Sequence, residues 1–80
     1  MARVVFPSNL MNYTNGISEV EVSCSTFREL VRQLNNLYPG IGDDLRKSAV
    51  AIDGQIYQDA WFEKIGPTSE VFFMQRIEGG

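Results

Sequence analysis

The sequence predicts an α+β domain in which one main helix rests on one face of a sheet of four to five strands. Two observations carry this. Short β-branched and aromatic runs occur at both ends of the chain, and a single capped amphipathic stretch lies between them. A third sets the scale, because 80 residues suffice for one small core and leave little room for an enclosed pocket.

Each element follows from its residues. Arg3 to Phe6, closed off by Pro7, reads as a first strand. Ser8 to Gly16 ends in the turn pair Asn15-Gly16, so the chain is expected to double back there. Glu19-Val20-Glu21-Val22 alternates charge with valine, the period of a strand with one wet and one buried face, and the two strands together suggest an opening hairpin. Thr26 stands three residues before Glu29 in capping-box spacing, and Phe27, Leu30, Val31, Leu34 and Leu37 follow as one apolar stripe. The helix should stop near Leu37, because Pro39 disfavours helical geometry at Tyr38 and Gly40 releases the chain.

Asp43-Asp44 begins a short helical turn through Lys47. Ala49 to Ile52, the turn pair Asp53-Gly54 and Gln55-Ile56-Tyr57 read as two short paired strands. Trp61, Phe62 and Ile65 suggest a loop or single turn pinned by aromatic burial, and Glu70 to Gln75 forms the last strand. With Val71 and Phe73 in the core, period two puts Phe72 and Met74 on the other face.

Composition excludes much chemistry. Seven Lys and Arg stand against ten Asp and Glu, a net charge of −3 with no basic run, so nucleic acid is not an expected partner. With no histidine and one cysteine, Cys24, there is no Ser-His or Cys-His pair, no Cys/His zinc site and no internal disulfide. Cys24 reads as a small half-buried thiol, and a cytoplasmic setting without membrane association is expected. The carboxylates cap, turn or face solvent, and no catalytic constellation remains. The chain is expected to be no enzyme, with no metal and no bound cofactor.

What remains is Ile77-Glu78-Gly79-Gly80 after the last strand. Chance or a cloning scar would leave the glycine pair without meaning. The functional reading is chemical. Without side chains at Gly79 and Gly80 the strand continues as a thin thread that can enter a narrow channel, and four extended residues reach roughly 13 Å. A domain of residues 1–76 with a flexible tail over 77–80 would thus deliver the Gly80 carboxylate into a partner. Joined to AMP, that carboxylate becomes a mixed anhydride which sulfur can displace.

At these residues the chain resembles the ubiquitin-like β-grasp sulfur carriers, which include the small subunit of molybdopterin synthase and the thiamin sulfur carrier. The resemblance runs from Val4-Val5-Phe6 through Thr26-Phe27-Arg28-Glu29-Leu30, Tyr38-Pro39-Gly40 and Ala51-Ile52-Asp53-Gly54 to the segment from Glu70 to Gly80. It implies a mixed sheet, an adenylyltransferase of the ubiquitin-activating type that uses ATP on Gly80, a sulfurtransferase or other persulfide donor, and a biosynthetic enzyme that accepts sulfur from a Gly80 thiocarboxylate. It also implies docking through an exposed sheet face with Ile56, Phe72 and Met74, flanked by Arg76 and Glu78. The plain alternative is that Ile56 and Phe72 simply cover neighbouring strands. Gln75-Arg76 replaces the Pro-Pro pair of the molybdopterin subunit, and Thr68-Ser69-Glu70 replaces the usual Gly-Asp-Glu turn, with the glycine moved to Gly66. Two other readings stay open: a modifier joined through Gly80 to lysines, and a passive binding module whose diglycine is accidental.

Overall fold

Alternation in the first and last strands decides which face of the sheet is covered. A computed structural model describes residues 1–75. In β1 (Ala2–Val5) the side chains of Ala2 and Val4 are buried, while Arg3 on the opposite face is exposed. The remaining strands are β2 (Glu19–Val22), β3 (Ala49–Ile52), β4 (Gln55–Tyr57) and β5 (Glu70–Met74). Val71 and Phe73 of β5 are buried as the period-two reading expects. The sheet order is β2-β1-β5-β3-β4, with β1 and β5 parallel and every other pair antiparallel. First and last strands thus lie side by side at the centre, and a parallel pair demands a long crossover. The intervening chain supplies it.

The crossover carries the main helix, α2 (Phe27–Leu37), preceded by a short α1 (Met11–Thr14) and followed by α3 (Ile41–Lys47). Thr26 Oγ1 accepts a hydrogen bond from the Glu29 backbone N–H at 3.1 Å, satisfying one of the unpaired donors of the first turn. Phe27, Leu30, Val31 and Leu34 are buried against the sheet. Leu37 is not: it is 59% exposed. At 3.6 residues per turn it sits about 70° from the middle of the buried stripe. Half-buried Tyr38 and fully buried Ile41 continue the packing in its place.

Aromatic rings connect the layers. Phe73 stacks on Phe6 at 6.5 Å between centroids and lies 5.8 Å from Phe27, which meets Trp61 edge-on at 6.5 Å. Tyr38 meets Phe6 edge-on at 6.1 Å.

Three expectations need correction besides Leu37. The link between β1 and β2 is helical rather than a simple turn, with a 3-10 turn over Ser8–Leu10 running into α1. Buried Leu10 and Thr14 anchor this excursion. Asn15 and Gly16, at φ 61 and 89, terminate α1, and both backbone N–H groups donate to the Met11 carbonyl. The left-handed preference of Asn-Gly serves a helix cap as well as a hairpin. The antiparallel pairing of β1 with β2 is present nonetheless, with Ala2 opposite Val22.

Phe62 is 88% exposed, although Trp61 is half-buried and Ile65 buried. The Glu63 N–H donates to the Ala60 carbonyl at 2.8 Å, closing a turn that holds Ala60 inside and turns Phe62 out. Helix α3 begins two residues before Asp43, at Ile41, because buried Ile41 and Leu45 pack on the core. Asp53 and Gly54, at φ 50 and 87, form the left-handed turn expected between β3 and β4.

Leu34→Ala should lower the unfolding free energy by about 2–5 kcal/mol, while Leu37→Ala should change it by no more than about 0.5 kcal/mol. Urea denaturation of the two variants distinguishes a buried stripe ending at Leu34 from one that includes Leu37.

Candidate functional site

The face of the sheet opposite α2 gathers the candidate docking residues. Strand register builds it: Ile56 lies opposite Ala51, Ala51 opposite Phe72, Phe72 opposite Val5, and Val5 opposite Glu19. One apolar row therefore crosses four strands and ends at a carboxylate on the fifth. Met74 lies opposite Ala49, one step along on the same face. Ile56 is 66% and Phe72 39% exposed, with Met74, Ala51 and Val5 half-buried. The small side chain of Ala51 leaves the flanks of Ile56 and Phe72 open. Exposed Ile56 and Phe72, joined through half-buried Ala51, make this row the candidate docking surface.

Charge borders the row on one side. Arg3 Nε donates to Glu19 at 2.7 Å, its Nη1 donates to Glu70 at 2.6 Å, and the guanidinium lies 5.8 Å from the centre of the Phe72 ring. The Glu19 hydrogen bond, ahead of the other interactions, raises the Arg3 pKa above its ordinary value. Arg3 is thus pinned across β2, β1 and β5 beside Phe72. Exposed Glu21, opposite Arg3, adds further negative charge to this border.

A second set of bonds fixes where β5 begins. Asp53 accepts from the Glu70 N–H at 2.9 Å through Oδ1 and from the Ser69 hydroxyl at 2.8 Å through Oδ2. Ser69 Oγ in turn accepts from the Gly66 N–H at 2.8 Å. The Asp53 N–H donates to the Glu70 carbonyl, and the Arg3 N–H to the Ser69 carbonyl, each at 2.9 Å. The turn between β3 and β4 thereby sets the register of β5, and with it the position of Phe72. A Cβ on Gly66 would lie 3.1 Å from Ser69 Oγ, so a side chain there would press on the hydroxyl that links Gly66 to Asp53. The Glu70 backbone N–H, followed by the Ser69 hydroxyl, holds the Asp53 carboxyl below its ordinary pKa.

Ile56, Phe72 and Met74 are therefore brought together on one face. Arg76, Ile77, Glu78, Gly79 and Gly80, the other residues singled out in the sequence, lie outside the described residues. Sequence reasoning missed Arg3, Val5 and Ala51. Period two in β1 already puts Arg3 and Val5 opposite Val4, but only register reveals which neighbours they meet.

Other candidate chemistry stays apart from this face. Cys24 is half-buried, and burial first, then the Glu29 charge, pushes its thiol pKa up, which disfavours the thiolate. Tyr13 donates to Asp44 at 2.6 Å, and that bond leads the causes that raise the tyrosine pKa. Among the described residues no group of three His, Cys, Asp or Glu side chains could hold a metal, and no helix is long and apolar enough to cross a membrane.

A central parallel pair of first and last strands, joined through one main helix on one face, defines the ubiquitin-like β-grasp fold. Solved structures share it. The chain matches one chain of the crystal structure of the Amycolatopsis orientalis BexX/CysO complex at TM-score 0.87 and 18% identity, covering 100% of both chains. It matches CysO of Mycobacterium tuberculosis, an antigen, at TM-score 0.86 and 18% identity, covering 96% of this chain and 100% of that one. No protein-family model matches the sequence, and no curated protein matches it.

The Asp53 bonds give a pH prediction. A folded pKa below the unfolded one adds stability that is fully present above the ordinary carboxylate value and is lost as pH falls through the folded value, from about pH 4 downward. Asp53→Asn, which keeps the left-handed turn accessible, should lower the thermal midpoint at neutral pH and flatten its fall on acidification. Thermal melts from neutral to strongly acidic pH check this, with the two proteins converging at the acid end.

Proposed function

We propose that this chain is a sulfur carrier, a substrate of other enzymes and not a catalyst. The observation that supports it most is the apolar row that crosses the sheet through Phe72 of β5, the strand that precedes Arg76-Ile77-Glu78-Gly79-Gly80 in the sequence. A docking face beside a bare thread is what the chemistry requires. The fold shared with CysO over the full length of both chains gives further support. CysO occurs in complex with BexX, and we extend recognition by a partner protein to this chain.

On this reading a ubiquitin-activating-type adenylyltransferase takes the sheet face through Ile56, Phe72 and Met74 and draws the tail into its active site. The Gly80 carboxylate attacks the α-phosphorus of ATP, pyrophosphate leaves, and an acyl adenylate forms. The terminal sulfur of a persulfide on a sulfurtransferase displaces AMP to give an acyl disulfide. A second thiol cleaves the sulfur-sulfur bond, leaving the thiocarboxylate on Gly80 and a disulfide on the donor. The acceptor enzyme then uses that sulfur in the biosynthesis of a cofactor, amino acid or natural product. The carrier contributes no acid, base or metal to any step. Its residues bind and position.

The chain ending at Gly80 should support ATP–pyrophosphate exchange with its activating enzyme and, with a persulfide donor, gain the mass of an oxygen-to-sulfur replacement at its terminus. One alanine added after Gly80 should abolish both while leaving the melting temperature unchanged. Unaltered exchange by the extended chain contradicts the carrier reading. Gly-Gly remnants on lysines of other proteins, without sulfur at Gly80, would assign the modifier reading instead.

Ile56→Glu tests the docking face. Because Ile56 is exposed, stability should move by no more than about 0.5 kcal/mol. The KM for the carrier in pyrophosphate exchange should rise roughly tenfold or more with little change in kcat. An unchanged KM would remove Ile56 from the interface.

A further inference from the structure

The opposite side of the molecule carries a second surface that the tail chemistry does not use. A groove of about 760 Å³ runs between α2 and α3 and is bounded by Trp61. Arg28 and Arg32, four apart on α2, share one helix face, and Arg46 of α3 lines the same groove. Three of the seven basic residues of an acidic protein thus converge on one concavity. Among the described residues the ion pairs are those of Arg3 to Glu19 and Glu70 on the sheet face. The groove arginines have none, although Glu29 and Asp43 line the groove with them. Glu29 is engaged otherwise, accepting from Gln33 Nε2 at 3.4 Å.

The floor is built to stay open. Asn35 Oδ1 accepts from the N–H groups of Gly40 at 3.2 Å and Gly42 at 2.9 Å, tying the end of α2 to the start of α3. A Cβ at Gly42 would come within 2.9 Å of that oxygen, so no side chain can stand there without displacing Asn35. At the rim the Arg46 guanidinium lies 4.6 Å from the centre of the Trp61 ring, which holds the cation in place without neutralising it.

We propose that this groove docks an acidic peptide segment of a partner protein, its carboxylates meeting Arg28, Arg32 and Arg46. The space exceeds what a single anion needs and suits an extended stretch of chain. Guanidinium and carboxylate form charge-assisted, often bidentate pairs, the match that unpaired arginines favour. Glu29 and Asp43 reduce the net charge of the lining to about +1, which suits spaced carboxylates and opposes the continuous phosphates of nucleic acid. A partner held here leaves the sheet face free, so two proteins could hold the chain at once. The proposal is independent of the sulfur-carrier reading.

Trp61 is the single tryptophan, so its fluorescence reports directly on the groove. The probe is an acetylated peptide of about ten residues alternating glutamate and alanine, added to the full chain at low salt, where screening is weak. A saturable change in Trp61 emission is expected, with amide shifts in nuclear magnetic resonance spectra confined to α2, the Gly40–Gly42 turn, α3 and the loop around Trp61. The double variant R28Q/R32Q should bind roughly tenfold more weakly while keeping the wild-type melting temperature, since both arginines are exposed. No saturable binding, or equal binding by the double variant, overturns the proposal. Tighter binding of single-stranded DNA of equal charge, or a dimer of the chain that the peptide disrupts, overturns it in favour of nucleic acid or a second copy. Full activation of Gly80 in R28Q/R32Q is expected, which separates this test from that of the carrier reading.

Discussion

The position of β5 at the centre of the sheet is the constraint on which the rest of the molecule depends. Its side chains divide strictly: Val71 and Phe73 enter the core, while Phe72 and Met74 face outward. A slip of one residue would exchange the two sets, expose the ring that stacks on Phe6 and meets Phe27 at a tilt, and erase the apolar row. Register is held from both sides, by parallel pairing with β1 and antiparallel pairing with β3, and at the start of the strand by the bonds among Asp53, Ser69 and Gly66. The same strand thus anchors the core through Val71 and Phe73 and supplies Phe72 and Met74 to the candidate docking face.

This double use explains the economy of the fold. Among the described residues no group of three His, Cys, Asp or Glu side chains could hold a metal, and the features the fold builds are surfaces. The helix layer covers one face of the sheet, leaving the other with Ile56, Phe72 and Met74 beside an anchored Arg3. The groove between α2 and α3 offers a surface of opposite chemical character, polar and arginine-rich. In this view reactivity belongs to the end of the chain and recognition to the body.

Much of this was legible in the sequence where local chemistry and tertiary need agree. Thr26 three before Glu29 marked the start of α2, Asp53-Gly54 marked its left-handed turn, and Val71/Phe73 against Phe72/Met74 gave the faces of β5. Local signals misled where one residue type serves two purposes. Asn15-Gly16 caps a helix here, because buried Leu10 and Thr14 make the link between β1 and β2 helical. Leu37 and Phe62 continue apolar patterns yet point to solvent, because the stripe has rotated off the sheet at one and a tight turn faces outward at the other. The apolar row itself needed cross-strand register, which joins Val5, Ala51, Phe72 and Ile56 from distant parts of the chain. The arginine groove needed the angle between two helices, which no spacing encodes.

The central claim is the proposal that the reactive group is the carboxylate of Gly80, which follows β5 in the sequence. Intact mass measurement of the protein recovered from its own cells, with a thiol-selective alkylating tag, tests it most directly. The account predicts a population ending at Gly80 that carries sulfur in place of one carboxylate oxygen and takes the tag at that terminus. A chain that continues unprocessed past Gly80, or a terminus that never exchanges oxygen for sulfur while the tag finds only Cys24, would contradict it.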